Sequence, residues 1–294
     1  MVHKGLRHPQ RPDNEERTSV THETTTTGPG TCIPLASLPN LRDIGGYTTS
    51  SGATVRTGVL YRSVALDTLT DADAAELQKR GIRTVFDLRT RAERDAAPDR
   101  LPEGATGVVC DVLADSMNAA PAQMLEIVRN PARAADALGH GQAVELFHDA
   151  YRHIVSSTSA LEAYRRFFTD LAAEPTRPAL FHCTTGKDRT GWAAAAALLL
   201  LGVDEEDVFA DYLLTNRDLL PAFQGLFEQF AAAGVDPEIL KPVLGVEPSY
   251  LHAALDEMRR RFGSIHGYFS DGLGLDAQAQ GELRAALTRS EPHP

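Results

Sequence analysis

The sequence predicts an α/β fold: a central, mostly parallel sheet flanked by helices, with a helical C-terminal region. Three observations carry it. Short apolar segments at 55–63, 84–88, 107–110 and 178–181 alternate with helix-period segments, the pattern of crossovers between parallel strands. The apolar run 178–181 passes through a polar loop straight into the Ala/Leu-rich stretch 192–201, a strand–loop–helix unit. Beyond residue 204 nearly everything reads as helix. A chain of 294 residues, 43% hydrophobic, suits one good-sized domain with a flexible end.

The elements follow in chain order. Residues 1–30 are expected to be a disordered tail, with a single domain over 31–294. Met1, Val2, Leu6 and Val20 are almost the only apolar side chains up to residue 28, too few to bury a core. The same segment lacks the apolar stretch of a signal peptide. Residues 55–63 read as one or two short strands near a Gly turn. Thr70 is placed to cap a helix, with Asp73 three positions on, and Gly81 ends it. The strand at 84–88 carries Asp87 and Arg89 at its carboxyl end. Residues 107–110 form a further strand, and 117–159 is helical with an irregular connection around Asn130 and Pro131. Helices are expected at 159–173, 192–201, 204–217, 219–233, 237–244, 250–262 and 276–289. Arg259, Arg260 and Arg261 lie on a helix whose buried stripe is Leu251, Leu255, Met258 and Phe262, which makes them a solvated face rather than a lipid patch.

Composition removes several function classes. A net charge of −11 argues against general nucleic-acid binding. The longest apolar stretch, 192–201, is ten residues, well short of the ~20 a membrane span needs, so no stable membrane insertion is expected. Three cysteines, Cys32, Cys110 and Cys183, cannot make a disulfide framework and fit a reducing compartment. The cytoplasm is the expected location, or export without a recognisable signal. No His/Cys/Asp spacing suggests a metal: His148 and His153 are five apart on one helix and do not share a face. No cofactor is implied.

The chemistry concentrates in residues 182–191, His-Cys-Thr-Thr-Gly-Lys-Asp-Arg-Thr-Gly. Here Cys183 ends a strand and Arg189 opens a helix. The backbone N–H groups of Thr184, Thr185, Gly186, Lys187, Asp188 and Arg189 can then converge on one spot, with the partial positive charge of the helix N-terminus behind them. Such a nest fits an oxyanion of phosphate size. Helix N-termini and nearby cations pull thiols from about 8.5 to roughly 3.5–7.5, which makes Cys183 the candidate nucleophile for phosphorus. Arg189 offers a planar fork for two phosphoryl oxygens. Lys187 adds a point charge, Gly186 lets the backbone approach the anion, and the Thr190 hydroxyl can donate to the sulfur. His182 can fix the loop backbone by a hydrogen bond. A nucleotide-binding Walker loop is excluded, because Phe181 and Asp188 stand where it needs Gly and Ser/Thr.

Protonating a departing oxygen requires an acid. Asp188 is the candidate, and the competing reading is a carboxylate that merely pairs with Arg189 or Lys187. Asp111 and Asp115 are reserve acids. Asp87 and Arg89 read as supporting ion pairs, with direct substrate contact as the alternative. Cys110 is a candidate redox partner for an oxidised Cys183.

The blocks Asn40-Leu41-Arg42-Asp43-Ile44-Gly45-Gly46, Leu60-Tyr61-Arg62-Ser63, Phe86-Asp87-Leu88-Arg89 and the 182–191 loop occur in that order. So do Leu244-Gly245-Val246, Tyr250-Leu251 and Gly267-Tyr268. In these the chain resembles the atypical bacterial protein tyrosine and dual-specificity phosphatases, including their mycobacterial members, from about Leu38 to its end. The resemblance implies a cysteine-phosphatase-like fold and hydrolysis of phosphomonoesters through a phosphocysteine. Phosphotyrosine proteins are the implied substrates, with phosphoserine/threonine and phosphoinositides as further classes; the Gly-Lys-x-Arg-Thr-Gly portion also resembles phosphoinositide phosphatases. It further implies that Asp188 is the general acid and that helices at 219–245 form a lid. On that lid Leu220, Phe223, Leu226, Phe227 and Phe230 recur at helical spacing, a pattern that also fits an ordinary core face or, more weakly, membrane docking. The usual Trp-Pro-Asp acid loop is absent, since the single tryptophan, Trp192, follows the active loop. Where mycobacterial members carry an Asp after the preceding strand, this chain aligns between Ala114 and Asp115. Two other classes compete: a rhodanese-type sulfurtransferase and a phosphate-binding pseudophosphatase. An in-loop acid disfavours the first and a retained thiol the second.

Overall fold

The computed structural model describes residues 28–116, 130–138 and 141–290. In chain order the strands are β1 Arg42–Asp43, β2 Thr54–Val55, β3 Leu60–Ser63, β4 Thr84–Asp87, β5 Thr106–Val109, β6 Ala179–His182 and β7 Thr288–Arg289. Five of them form a sheet in the order β1-β3-β6-β4-β5. Only the edge pair β1–β3 is antiparallel; the other pairings are parallel. The remaining two, β2 and β7, make a small antiparallel ribbon. Ser63 and Asp87 both pair with His182, so three central strands end at one height. Ligand sites of open parallel sheets lie outside such carboxyl ends.

Side chains along β4 and β6 alternate between the two faces, as the period of two requires. Phe86 and Phe181 join the larger core, where Phe167 packs on both rings at centroid distances of 5.0 and 5.1 Å. Val85 and Leu180 face the other way, into a smaller core with Leu66, Leu69 and Leu77.

The helices that matter for the site are α1 Asp71–Lys79, α2 Arg91–Ala96, α3 Pro131–Leu138, α4 Gln142–Ser156, α5 Thr158–Ala172, α6 Arg189–Leu201, α7 Glu205–Leu219, α8 Gln224–Ala232, α9 Pro248–Phe262 and α10 Ala277–Leu287. Helix α6 follows β6 after a six-residue loop and is buried on nearly every side, as its unbroken apolar run demands. Gly202 ends it in the left-handed region at φ 85°. Thr70 caps α1 by accepting from Asp73 N at 3.2 Å. Thr90 and Glu93 form a reciprocal capping box at the start of α2.

The mixed α/β architecture with a mostly parallel sheet is therefore as expected, and the differences are local. The tail expected over 1–30 lies outside the described residues up to Thr27; Gly30 already donates to Gly45 O at 3.2 Å, so folded contacts begin slightly earlier. Residues 117–129 of the long helical segment also lie outside them. The helix expected over 219–233 is interrupted, because Pro221 turns Leu220–Phe223 into a 3₁₀ segment before α8 begins. Likewise 237–244 divides into the turns Pro237–Leu240 and Lys241–Leu244. The C-terminal helix stops at Leu287, and its expected last two residues pair with β2 instead. Arg259, Arg260 and Arg261 are exposed and paired with Glu205 and Glu257. Among the described residues no helix is long and apolar enough to cross a membrane.

Candidate active site

The loop 183–188 hangs between β6 and α6 with its carbonyl groups turned outward and bonded. Thr184 O accepts from Ala65 N at 3.1 Å. Asn40 Nδ2 donates to Thr185 O and Gly186 O at 3.3 and 3.1 Å, and Arg62 Nη2 donates to Gly186 O at 2.7 Å. His182 Nδ1 lies 3.1 Å from Cys183 O. Among the described residues, by contrast, none accepts from the backbone N–H groups of residues 184–188. Buried amides are paired in the great majority of cases. Five consecutive free donors behind a nearly buried thiol, Cys183 at 2% exposure, form a nest for an oxyanion. Gly186 sits at φ 65°, and a Cβ there would be driven into the Ser63 carbonyl, so only glycine lets the loop turn.

The frame behind the loop is a buried charge network. Asp211, on α7, receives Arg42 Nε and Arg62 Nη1, both at 3.2 Å. Arg42 Nη2 also reaches Asp211 O at 2.8 Å, and its Nη1 donates to Asn40 Oδ1. Both arginines are fully buried. Burial, with Arg42 alongside, pushes Arg62 down to about 10, while the charge of Asp211 and that of Cys183 act to hold its proton.

Arg189 points to the opposite flank. Its Nη1 and Nη2 each lie 2.7 Å from one oxygen of Glu93, a two-point fork. Glu93 Oε1 also accepts from the Thr184 hydroxyl, and Oε2 from Thr90 N and Oγ1 at 2.9 and 2.8 Å. Burial opposes the charge of Glu93, yet the Arg189 fork and the threonine bonds hold its carboxyl far below the usual range. Beside this pair, Arg89 Nη2 bridges Asp87 Oδ2 at 2.8 Å and Asp99 Oδ2 at 2.9 Å. His182 Nε2 is 3.0 Å from the same Asp99 oxygen. Asp87, Asp99 and His182 are close enough to suit a cation, but the Arg89 guanidinium already bridges both carboxylates. Asp87 and Arg89 thus meet each other beneath the loop.

The third rim of the site holds Asp188. Tyr151 OH donates to Asp188 Oδ1 at 2.9 Å, and Lys187 Nζ lies 3.1 Å from the same oxygen. Lys187 also donates to Gly245 O at 3.0 Å and sits 4.1 Å from the centroid of the Phe147 ring. Lys187, expected to add a point charge to the loop, is held between Asp188 and the C-terminal region. The Thr190 hydroxyl is buried and among the described residues has no hydrogen-bond partner.

Two reserve acids are occupied elsewhere. Asp111 accepts from Arg91 N and Arg94 Nη1 at 3.0 and 3.3 Å. Asp115 accepts from Ser159 N and Oγ at 3.1 and 2.6 Å at the start of α5. Cys110 follows β5, two strands from β6 in the sheet order. Two strand spacings are about 9.6 Å, beyond the ~7 Å Cα separation a disulfide tolerates, so the redox pairing with Cys183 does not fit this fold. Burial pushes the Cys110 thiol up to about 12.

Sequence reasoning did not single out Asn40, Arg42, Arg62, Glu93, Tyr151 or Asp211, nor Tyr212, whose hydroxyl lies 2.6 Å from that of Tyr151. A signal existed for some. Asn40, Arg42 and Arg62 lie within the quoted blocks, and Thr90 with Glu93 three positions on is a readable capping box.

With this geometry in place, comparison with known proteins is direct. The sequence pattern of the tyrosine phosphatase family matches residues 33–289. A protein of Cupriavidus necator named as a tyrosine-protein phosphatase is 33% identical over 257 residues, 86% of this chain and 88% of that protein. The triple specificity protein phosphatase PtpB of Mycobacterium tuberculosis is 30% identical over 272 residues, 84% of this chain and 96% of that protein. A tyrosine-protein phosphatase of Nostoc commune is 29% identical over 232 residues, 77% and 73% of the two chains.

Proposed function

The chain belongs to the tyrosine phosphatase family, hydrolases of phosphomonoesters, and we propose that Cys183, Arg189 and Asp188 carry its reaction. In the first step the Cys183 sulfur attacks phosphorus and forms an S–P bond. The P–O ester bond breaks, its electron pair leaves on the ester oxygen, and that oxygen takes a proton from Asp188. In the second step a water oxygen attacks the same phosphorus and Asp188 accepts its proton. The S–P pair returns to Cys183, with the Thr190 hydroxyl donating to the departing sulfur. The amides of 184–189 and the guanidinium N–H groups of Arg189 that Glu93 leaves free hold the equatorial oxygens throughout, where their charge develops most. His182, Asp87 and Arg89 support the loop from below.

The observation that carries this reading is the row of unengaged amides at 184–188 around a thiol at a helix start. The arrangement needs no metal or cofactor. Phosphotyrosine proteins are the first substrate class. The name of the mycobacterial relative supports a wider range, so phosphoserine/threonine peptides and phosphoinositides are included. Residues 219–245 act as a lid over the site, and the Lys187–Gly245 contact ties the loop to the end of that segment. Three free cysteines suit a cytoplasmic setting.

The test is a panel of phosphotyrosine peptide, phosphoserine peptide and phosphoinositides assayed with the protein and with Cys183→Ser. Turnover should vanish in the variant while vanadate or phosphate binding persists. A fully active serine variant would exclude Cys183 as the nucleophile. Thiosulfate in the same panel separates a sulfurtransferase.

A further inference from the structure

We propose that Tyr212 and Tyr151 form a hydroxyl chain that fixes the transferable proton of Asp188 on its Oδ2 oxygen. The inference rests on the reading of Asp188 as the acid and concerns how that acid is held.

The chain follows from counting hydrogens. Tyr151 has one hydroxyl hydrogen, and it goes to Asp188 Oδ1 at 2.9 Å. The 2.6 Å contact between the Tyr151 and Tyr212 hydroxyls must then be donated by Tyr212. The direction is Tyr212 to Tyr151 to Asp188 Oδ1, and each donation strengthens the next. Lys187 Nζ lies beside the same Oδ1 at 3.1 Å. An oxygen facing two donors has no place for a proton of its own. Among the described residues none bonds Oδ2, so when Asp188 is protonated the hydrogen resides there.

Packing holds the chain rigid. Tyr151 and Tyr212 are buried and meet edge to face, at a centroid distance of 6.3 Å and an angle of 87°. Tyr151 also leans on Tyr250 at 5.6 Å. Gly191 makes the room, since a Cβ there would come within 3.1 Å of Tyr212 Cε2. Burial pushes both phenols well above their usual range, so both remain neutral donors. Asp211 and Tyr212 are neighbours on α7. One holds the arginines behind the loop, and the other is linked through Tyr151 to the acid in front of it.

Three variants of the full chain separate the possibilities. Tyr151→Phe, Tyr212→Phe and Asp188→Asn are compared with the unaltered protein on aryl phosphates whose leaving phenols span a range of basicity, each over a full pH profile. Tyr151→Phe should lose about tenfold in kcat on the poorest leaving groups and much less on the best. Removing a donor from the carboxylate raises its hold on the proton, so the alkaline limb of kcat should move to higher pH. Tyr212→Phe should act in the same direction and more weakly. A flat leaving-group dependence in Tyr151→Phe, with Asp188→Asn steepened, overturns the chain and leaves the acid standing. An equal loss on every substrate without movement of the limb marks a packing role and overturns it too. If Asp188→Asn is itself flat, the acid assignment fails first and the chain with it.

Discussion

Two buried charge clusters flank the 183–188 loop, and their balance is opposite. Behind the loop, two arginines, Arg42 and Arg62, share the single carboxylate of Asp211. Beneath it, two carboxylates, Asp87 and Asp99, share the single guanidinium of Arg89. The flank with surplus positive charge donates directly to the loop, from Arg62 Nη2 to Gly186 O. In a chain of net charge −11 this surplus gives the loop a local positive potential. Burial first, and the neighbouring Arg42 second, lower the hold of Arg62 on its proton. The charges of Asp211 and Cys183 act the other way on Arg62. The acidic cluster does the complementary job, gripping the ends of β4 and β6 so that His182 and Cys183 keep their height.

The largest test of this contrast is Asp211→Asn. It leaves two buried guanidinium groups without a counter-charge, and breaking a buried pair costs about 3–5 kcal/mol. Urea unfolding should show that loss; a change under about 1 kcal/mol would mean the arginines find compensation elsewhere. Next in size is Glu93→Gln, which keeps the shape but removes the charge from the Arg189 fork. A displaced Arg189 should lower kcat/KM by about 100-fold, with little change in unfolding midpoint. Equal loss of stability and activity would instead make Glu93 a structural strut.

The smallest effect concerns pH and the acidic cluster. Burial opposes the Asp99 charge, but His182, Arg89 and the Leu66 amide hold its carboxyl down to about 2, against about 3.9 in an unfolded chain. A depressed carboxyl stabilises the fold above the unfolded value, and that contribution is lost as pH falls through the folded one. Stability should therefore drop between about pH 4 and 2, by about 1–2 kcal/mol after allowing for screening. Asp99→Asn should flatten that part of the acid limb in pH-dependent unfolding. An unchanged slope would show that the cluster holds its charges weakly.

The candidate reacting residues were legible because the pattern that marks them is local. A cysteine, a glycine and an arginine at fixed spacing before an Ala/Leu helix define a nest without knowledge of anything distant. Caps were legible for the same reason, as Thr70 with Asp73 illustrates. What stayed hidden is what lies far along the chain. Glu93 meets Arg189 across 96 positions, and Arg42 meets Asp211 across 169. Nothing in the immediate sequence of Glu93 says which guanidinium it will neutralise. The break at Pro221 is written locally, in the proline, and was readable. The strand pairing of Thr288–Arg289 was not, because it is decided by neighbours in space.

Gly30 lies at φ 63°, and its α-carbon faces the Tyr47 hydroxyl and Asp211 Oδ1 so closely that a side chain there would touch both. The stretch Gly28–Gly30 is thus a stopper over the one carboxylate that two buried guanidinium groups depend on. Removing Gly28–Gly30 should lift that cover and let solvent reach Asp211, some 180 positions away in sequence.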